Sequence, residues 1–428
     1  MKKILFIASL LLPAAAIAQQ PDPSADEEEL DVKVVNGSDT TDYYITMHEN
    51  APHINNLKDV PRFAIRGKEN KFYMGLGVNI KGVATYDFGS PISNPNLFTT
   101  SAIPMNMDPG NGGQFKLSAQ QSNVYLNVVA LPGTKNQIGA FVSMNFLNSG
   151  YSPMLQHAYL KYRDITAGYT YSIFTNAAAG PATIDYEGPN SFTAVIHGMI
   201  AYEPSFGRKK EWKAGIALDM PNESYTNAEH TATVTQRVPD IPFYIQRSWA
   251  GGAGWLRLSG IVRNLYYRDL TAQKNVDKVG WGIKASGSTP IIGGLSAYYQ
   301  AAYGKGIASY IQDLTGCGMD LMPVGDNTTS LKPVKAWGGF GALQYNFTPN
   351  LFCTALYSHV RTYAERYTGT SSPWGDSYKY AQYILGNVFY NVNSIVQVGL
   401  EYIYGRRVNY DGTQAHDNRL EAMLQVSF

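Results

Sequence analysis

The stretch that closes the chain, Glu421-Ala422-Met423-Leu424-Gln425-Val426-Ser427-Phe428, constrains the fold most. Leu424, Val426 and Phe428 alternate with Met423, Gln425 and Ser427, and a period of two places the two sets on opposite faces of a β-strand. The other end reads as a signal peptide over residues 1–18. Lys2 and Lys3 precede an apolar run from Ile4 to Ala15, and Ala16-Ile17-Ala18 forms a small-residue cleavage site before Gln19. Position 19 is not Cys, which argues against a lipid anchor. No later apolar stretch approaches the ~20 residues of a membrane-spanning helix. An exported chain that finishes on an amphipathic strand with a terminal aromatic points to a transmembrane β-barrel.

Composition agrees. Mean hydropathy is −0.21, as expected when lipid-facing apolar residues interleave with lumen-facing polar ones. The 31 tyrosines suit the aromatic girdles of a membrane barrel. A net charge of +1 gives no basis for nucleic-acid binding.

Residues 19–70 form a separate N-terminal segment, expected to be periplasmic and partly ordered. It opens with the acidic run Asp26-Glu27-Glu28-Glu29 and shows no sustained heptad. From residue 71 the pattern becomes a series of alternating segments. Strands are expected near 72–88, 114–130, 136–147, 153–163, 165–173, 191–203, 210–219 and 240–250. Eight more are expected near 252–268, 277–288, 291–307, 335–347, 349–361, 377–391, 393–408 and 417–428. Their connections alternate short and long, with short turns such as Arg163-Asp164, Gly251-Gly252, Thr289-Pro290 and Thr348-Pro349. The fold class is therefore all-β: an up-and-down antiparallel barrel of about sixteen strands, its short turns periplasmic and its long loops outside.

Alternation also assigns faces. Leu256, Leu258 and Val262 alternate with Arg257, Ser259, Ile261 and Arg263; Val396, Val398 and Leu400 alternate with Gln397, Gly399 and Glu401. Arg or Lys facing lipid at the midplane costs roughly 2–4 kcal/mol, so the charged set faces inward. The basic pore-lining candidates are Lys161, Arg163, Lys213, Arg257, Arg263, Lys284 and Arg419. The acidic ones are Glu211, Asp219, Glu401 and Glu421. The basic excess predicts a preference for anions. The third long connection holds the small run Ala177-Ala178-Ala179-Gly180, followed by Asp185 and Glu187. It is expected to fold inward as a constriction, its two carboxylates opposing Arg257, Arg263 or Lys161. Leu424, Val426 and Phe428 serve as an assembly signal.

Catalytic patterns are missing. There is no Gly-x-Ser-x-Gly elbow, and His157, His197 and His359 lie on different strands without an evident partner. Gly304-Lys305-Gly306 precedes no helix, so a phosphate loop is not expected. Asp320, Asp326 and Asn327 could hold calcium in a loop, although solvation alone accounts for them. No metal or other cofactor is expected. Cys317 and Cys353 are expected at opposite ends of the barrel, too far apart for a disulfide.

Several stretches resemble the DcaP-like porins of Gram-negative outer membranes. They are Arg62 to Phe88, Phe115 to Ser122, His157-Ala158-Tyr159 with Ala167-Gly168-Tyr169-Thr170, Pro181 to Pro189, Arg237 to Ile241, and Ala302 to Ile307 through Tyr310-Ile311. The resemblance implies a sixteen-stranded homotrimeric channel that passes small, mainly anionic, organic solutes without catalysis or cofactor. Gln120, Asn123 and Gln156 stand where family members often carry Arg. The expected function is passive diffusion of small hydrophilic solutes across the outer membrane of a Gram-negative bacterium, among outer-membrane lipid and after insertion by the barrel-assembly machinery. A non-transporting adhesin or structural barrel is the alternative.

Overall fold

A computed structural model describes residues 33–34, 41–52, 63–67, 71–108, 110, 112–370 and 374–428. The signal peptide and the acidic run lie outside the described residues. Sixteen antiparallel strands close into a barrel. They are β1 (Phe72–Asp87), β2 (Gln114–Ser118 and Asn123–Ala130), β3 (Ile138–Asn145), β4 (Met154–Tyr162), β5 (Ile165–Tyr171), β6 (Ile196–Tyr202), β7 (Trp212–Asp219) and β8 (Ile241–Trp249). They continue with β9 (Gly254–Asp269), β10 (Lys274–Ile292), β11 (Leu295–Lys305), β12 (Lys335–Asn346), β13 (Leu351–Tyr363), β14 (Tyr378–Asn391), β15 (Val396–Asn409) and β16 (Gln414–Ser427). Each pairs with its neighbour in sequence, and β16 returns to β1 from Arg419↔Asp87 to Ser427↔Asn79. The Phe428 N–H extends this seam by donating to the Val78 carbonyl at 2.8 Å. Closure removes both sheet edges, which a bilayer cannot solvate.

The two faces separate by chemistry. Leu76, Ile80, Leu256, Leu258, Ile283, Leu343, Leu400 and Leu424 are exposed on the outer surface, whereas Asn79, Lys81, Arg263, Glu401 and Arg419 are buried inside. Near the outer ends of β12 to β14, Trp337, His359 and Tyr380 stack at 5.0 and 5.8 Å between ring centres. This places His359 in an aromatic belt on the membrane-facing surface rather than in the pore.

Two expectations about connections need correction. The turn expected at Thr289-Pro290 is strand; β10 runs on to Ile292 and turns at Gly293-Gly294, with φ of 50° and 90°. Two consecutive left-handed residues suit a tight hairpin and favour glycine. Short and long connections also do not alternate strictly. The outer links 270–273 and 410–413 have no long loop; at the first, β9 and β10, at 16 and 19 residues, place the extra length in a tall hairpin instead.

The wall is uneven. Strands β3, β5, β6 and β7 have only 8, 7, 7 and 8 residues, whereas β12 to β16 have 12 to 14.

The described parts of residues 19–70 are joined to the barrel. Phe63–Arg66 pairs with Tyr73–Leu76 of β1, and Lys33–Val34 pairs with Ile65–Arg66 in turn. A helix, α1 (Thr41–Asn50), packs on the inner wall: Met47 is buried with Ala64, Tyr73 and Val129. The absence of a heptad did not preclude a single short helix.

Candidate functional site

Long outer connections supply the contents of the lumen. The loop 172–195 leaves β5 and crosses to the opposite wall. There the Glu401 carboxylate accepts from the Ile184 and Asp185 N–H groups at 2.9 and 2.8 Å. Asn387 donates to the Ala182 carbonyl at 2.9 Å, and Lys81 donates to the Ile184 carbonyl at 3.0 Å. The loop is thus held by side chains of β1, β14 and β15. Asn176 meets Ser286 of β10 at 3.0 Å, and Ser358 of β13 donates to Asn190 at 2.6 Å. Buried backbone polar groups need partners, and inward side chains of the wall supply them.

Two further loops complete the layer. In the first, the Phe98 N–H donates to Asp185 at 3.0 Å, and Thr99 donates to the Glu187 carboxylate. In the sixth, Asp313 accepts from Thr100, from the Ser101 N–H and from the Tyr378 hydroxyl. Three carboxyls therefore lie in one buried layer. Burial, reinforced by the Asp185 and Asp313 charges, pushes the Glu187 carboxyl well above its ordinary range.

Two cavities flank the start of the crossing loop. The outer one, about 550 Å³, is lined by Leu97, Met154, Gln156, Tyr186, Phe192 and Gln312 among others. The inner one, about 370 Å³, lies toward the periplasm and is lined by Lys161, Lys213, Arg257, Glu203, Glu49 and their neighbours. Both are lined by Tyr171 and Ala177, so the partition lies between the end of β5 and the first turn of the loop.

The seven basic candidates divide into two groups. Arg257 stacks on the Tyr244 ring at 3.9 Å and donates to Gln246 at 2.9 Å at the inner cavity. Lys213 pairs with Glu203 at 3.3 Å, and Lys161 donates to the Glu49 carbonyl at 2.8 Å, both in that cavity. Arg163 sits at its rim, in the turn after β4, and bonds to the Lys135 carbonyl at 3.1 Å.

The other three do not meet open lumen, which corrects the expectation for them. Arg263 is buried between Asp240 and Asp320 at 3.0 and 3.2 Å and donates to the Gly306 carbonyl at 2.6 Å. Lys284 donates to the Phe174 carbonyl and to Thr193 of the crossing loop. Arg419 pairs with Asp87 at 2.6 Å and also donates to the Ile92 carbonyl at 3.3 Å. Alternation sends all seven inward; whether a loop then covers the charge depends on contacts distant in sequence.

Three more expectations change. Asp185 and Glu187 do not oppose Arg257, Arg263 or Lys161. Asp185 takes the Phe98 N–H and the Tyr383 hydroxyl instead, because the loop tip reaches the far wall. Asp320 is a buried partner of Arg263 rather than a solvated residue, and the described residues contain no group of three or more His, Cys, Asp or Glu fit for a metal. Glu211 is half-buried in a periplasmic turn, just before β7, rather than lining the lumen. Asp219 is buried, accepting from Ser172 and lying 3.0 Å from His197. Cys317 and Cys353 are both free.

Sequence reasoning missed Lys81, Glu203, Tyr171 and Asp313. Lys81 was accessible to it, since it alternates with Ile80 and Gly82 on β1. Glu203 was accessible too, since it ends the expected strand 191–203 on the same face as the buried Ala201; Asp313 lies in a connection, where no period assigns a face.

A family model described as the porin subfamily matches residues 98–420. Among solved structures, the outer membrane channel DcaP of Acinetobacter baumannii is similar at 20% identity and TM-score 0.70, over 84% of this chain and 99% of that one. The anion-selective porin from Comamonas acidovorans aligns at 9% identity and TM-score 0.53, over 83% and 100% of the two chains. OmpF of Salmonella typhi aligns at 14% identity and TM-score 0.51, over 84% and 98%. At these identities the structural likeness speaks for the fold. Comparison with curated protein sequences finds no match. With the family model spanning most of the barrel, this outer-membrane chain belongs to the porin subfamily.

Proposed function

We propose that the protein is a passive diffusion channel for small hydrophilic solutes, with a preference for anions such as organic acids. One observation carries the preference. Lys161, Arg163, Lys213 and Arg257 converge on the inner cavity, against Glu49, Asp164 and Glu203. Lys213 and Glu203 pair with each other, which leaves the basic side in excess. An excess of one sign at close quarters favours ions of the other. The loop 172–195, with Asp185 and Glu187 in its tip, acts as the constriction. The acting form is a homotrimer, supported by the low wall at β3 and β5 to β7. Strands of 7 or 8 residues fall short of the ~9–11 that span a bilayer, so a neighbouring protomer suits that sector. Leu424, Val426 and Phe428 form the end that the barrel-assembly machinery reads.

Reversal potentials in a salt gradient test the preference. Replacing both charges, Lys213→Glu with Arg257→Glu, should move the potential of the reconstituted channel toward cation selectivity. An unchanged potential would sink the anion reading.

A further inference from the structure

The periplasmic mouth contains a helix. Each residue of α1 advances about 1.5 Å, so its 10 residues span about 15 Å. Four adjacent strands, at ~4.8 Å spacing, span nearly the same distance. The contacts follow that width. Tyr43 packs edge-on against Tyr73 of β1 at 5.4 Å, Met47 lies against Val129 of β2, and Asn50 reaches β3 and β4. The helix therefore lies across the strands, along the inside of the wall.

Its C-terminal end fits a built socket. Gly139 of β3 presents no side chain to the lumen, and Asn50 fills the space: a Cβ at position 139 would sit 1.8 Å from Asn50 Oδ1. Asn50 donates to Asn127 at 2.6 Å and to the Ala140 carbonyl at 3.1 Å. A helix leaves its last carbonyls without intrahelical partners. Here the wall answers them. Asn127 donates to the Met47 carbonyl at 2.8 Å, the Tyr159 hydroxyl to the Asn50 carbonyl at 2.6 Å, and Lys161 to the Glu49 and Asn50 carbonyls at 2.8 and 3.2 Å. The Lys161 cation also complements the negative end of the helix dipole. Ala51 continues onto the tier of Tyr125, Phe141 and Tyr159. Glu49, Ala51 and Pro52 then form part of the lining of the inner cavity, together with Lys161 and Arg257.

We propose that α1 is a throttle built into the periplasmic mouth: an intramolecular occupant, seated on Gly139, Asn127, Tyr159 and Lys161, that narrows the inner cavity and engages one of its cations. The proposal rests on the channel reading, but the seat itself can be tested without any current. Removing the helix widens the exit and releases Lys161 from two backbone carbonyls. Conductance and anion preference should rise together.

The experiment uses the full chain with Cys317 and Cys353 replaced by Ser. In one variant, Asn50→Cys with Gly139→Cys, the new Cβ atoms fall near the ~3.5–4.5 Å that a disulfide spans, since Asn50 Cγ lies 2.6 Å from the position of a Gly139 Cβ. A non-reducing digest of intact outer membranes should contain the linked peptide. A second variant lacks residues 41–52. Its single-channel conductance should exceed that of the parent by about twofold or more, with a reversal potential shifted toward anions. A linked variant that conducts like the parent while the deletion conducts more would fix the cause on the helix. An absent crosslink in a properly inserted barrel, or a deletion that conducts and selects like the parent, overturns the throttle. Silence of parent and deletion alike, with the crosslink formed, overturns the channel reading and the throttle with it.

Discussion

Arg257, Arg263 and Glu401 all point into the barrel, yet they meet three environments. Arg257 lies at an open cavity, Arg263 is enclosed by two carboxylates, and Glu401 is spent on two loop N–H groups. Breaking a buried pair leaves an uncompensated charge, whereas a cavity charge remains available to solutes. Glu187 gives a pH-dependent case. Its carboxyl stands well above the ordinary range because of burial and the neighbouring Asp185 and Asp313 charges. A raised folded-state value makes the loop layer most stable at pH below the usual carboxylate value, where Glu187 is protonated folded or unfolded. That stability falls as pH rises through the raised value and the three carboxyls begin to repel. Channel conductance or current noise should therefore increase with pH, and Glu187→Gln should flatten the profile. An identical pH profile in wild type and Glu187→Gln would contradict this role.

At the scale of elements, the short sequence period is stronger than the turns. All sixteen strands match expected segments, whereas the β10 to β11 turn was displaced to Gly293-Gly294. A strand is marked by many alternating residues, a turn by two. β16 shows what a strand end must supply. Phe428 exchanges backbone hydrogen bonds with Val78 at 2.8 and 3.2 Å, one step beyond Ser427↔Asn79, and its ring is exposed on the outer surface. Deleting Phe428 removes the last rung of the seam together with the aromatic terminus. Outer-membrane levels of the deletion should drop severalfold, measured by fractionation, with export to the periplasm unchanged. Wild-type levels in the outer membrane would contradict the assembly role.

At the scale of the whole molecule, the uneven wall sets the expected assembly. β9 to β16 have 11 or more residues and are long enough for the bilayer, while β3 and β5 to β7 are not. Exposed Ile165, Ile200 and Ile216 lie on these low strands, and Leu160 on β4 between them, where another barrel would cover them better than thinned lipid. Light scattering in mild detergent should give three protomers per particle, and Leu160→Arg with Ile200→Arg should reduce it to one. A monodisperse monomer from the unmodified protein would contradict the trimer.

The sequence by itself determined the barrel, its strand order and which side chains within the strands face inward, because period two is local and lipid penalises charge on the outer face. It also located the loop that enters the lumen, through the small residues Ala177 to Gly180. What only the tertiary structure decided was the fate of the inward groups. Lys284 and Arg419 anchor loops that begin far away in the chain, Asp185 binds Phe98 and Tyr383 rather than arginine, and Asn50 seats on Gly139 across nearly ninety residues. Such contacts depend on closure, which brings distant strands around one lumen. A period of two records which face a residue takes and carries no information about what will cover it.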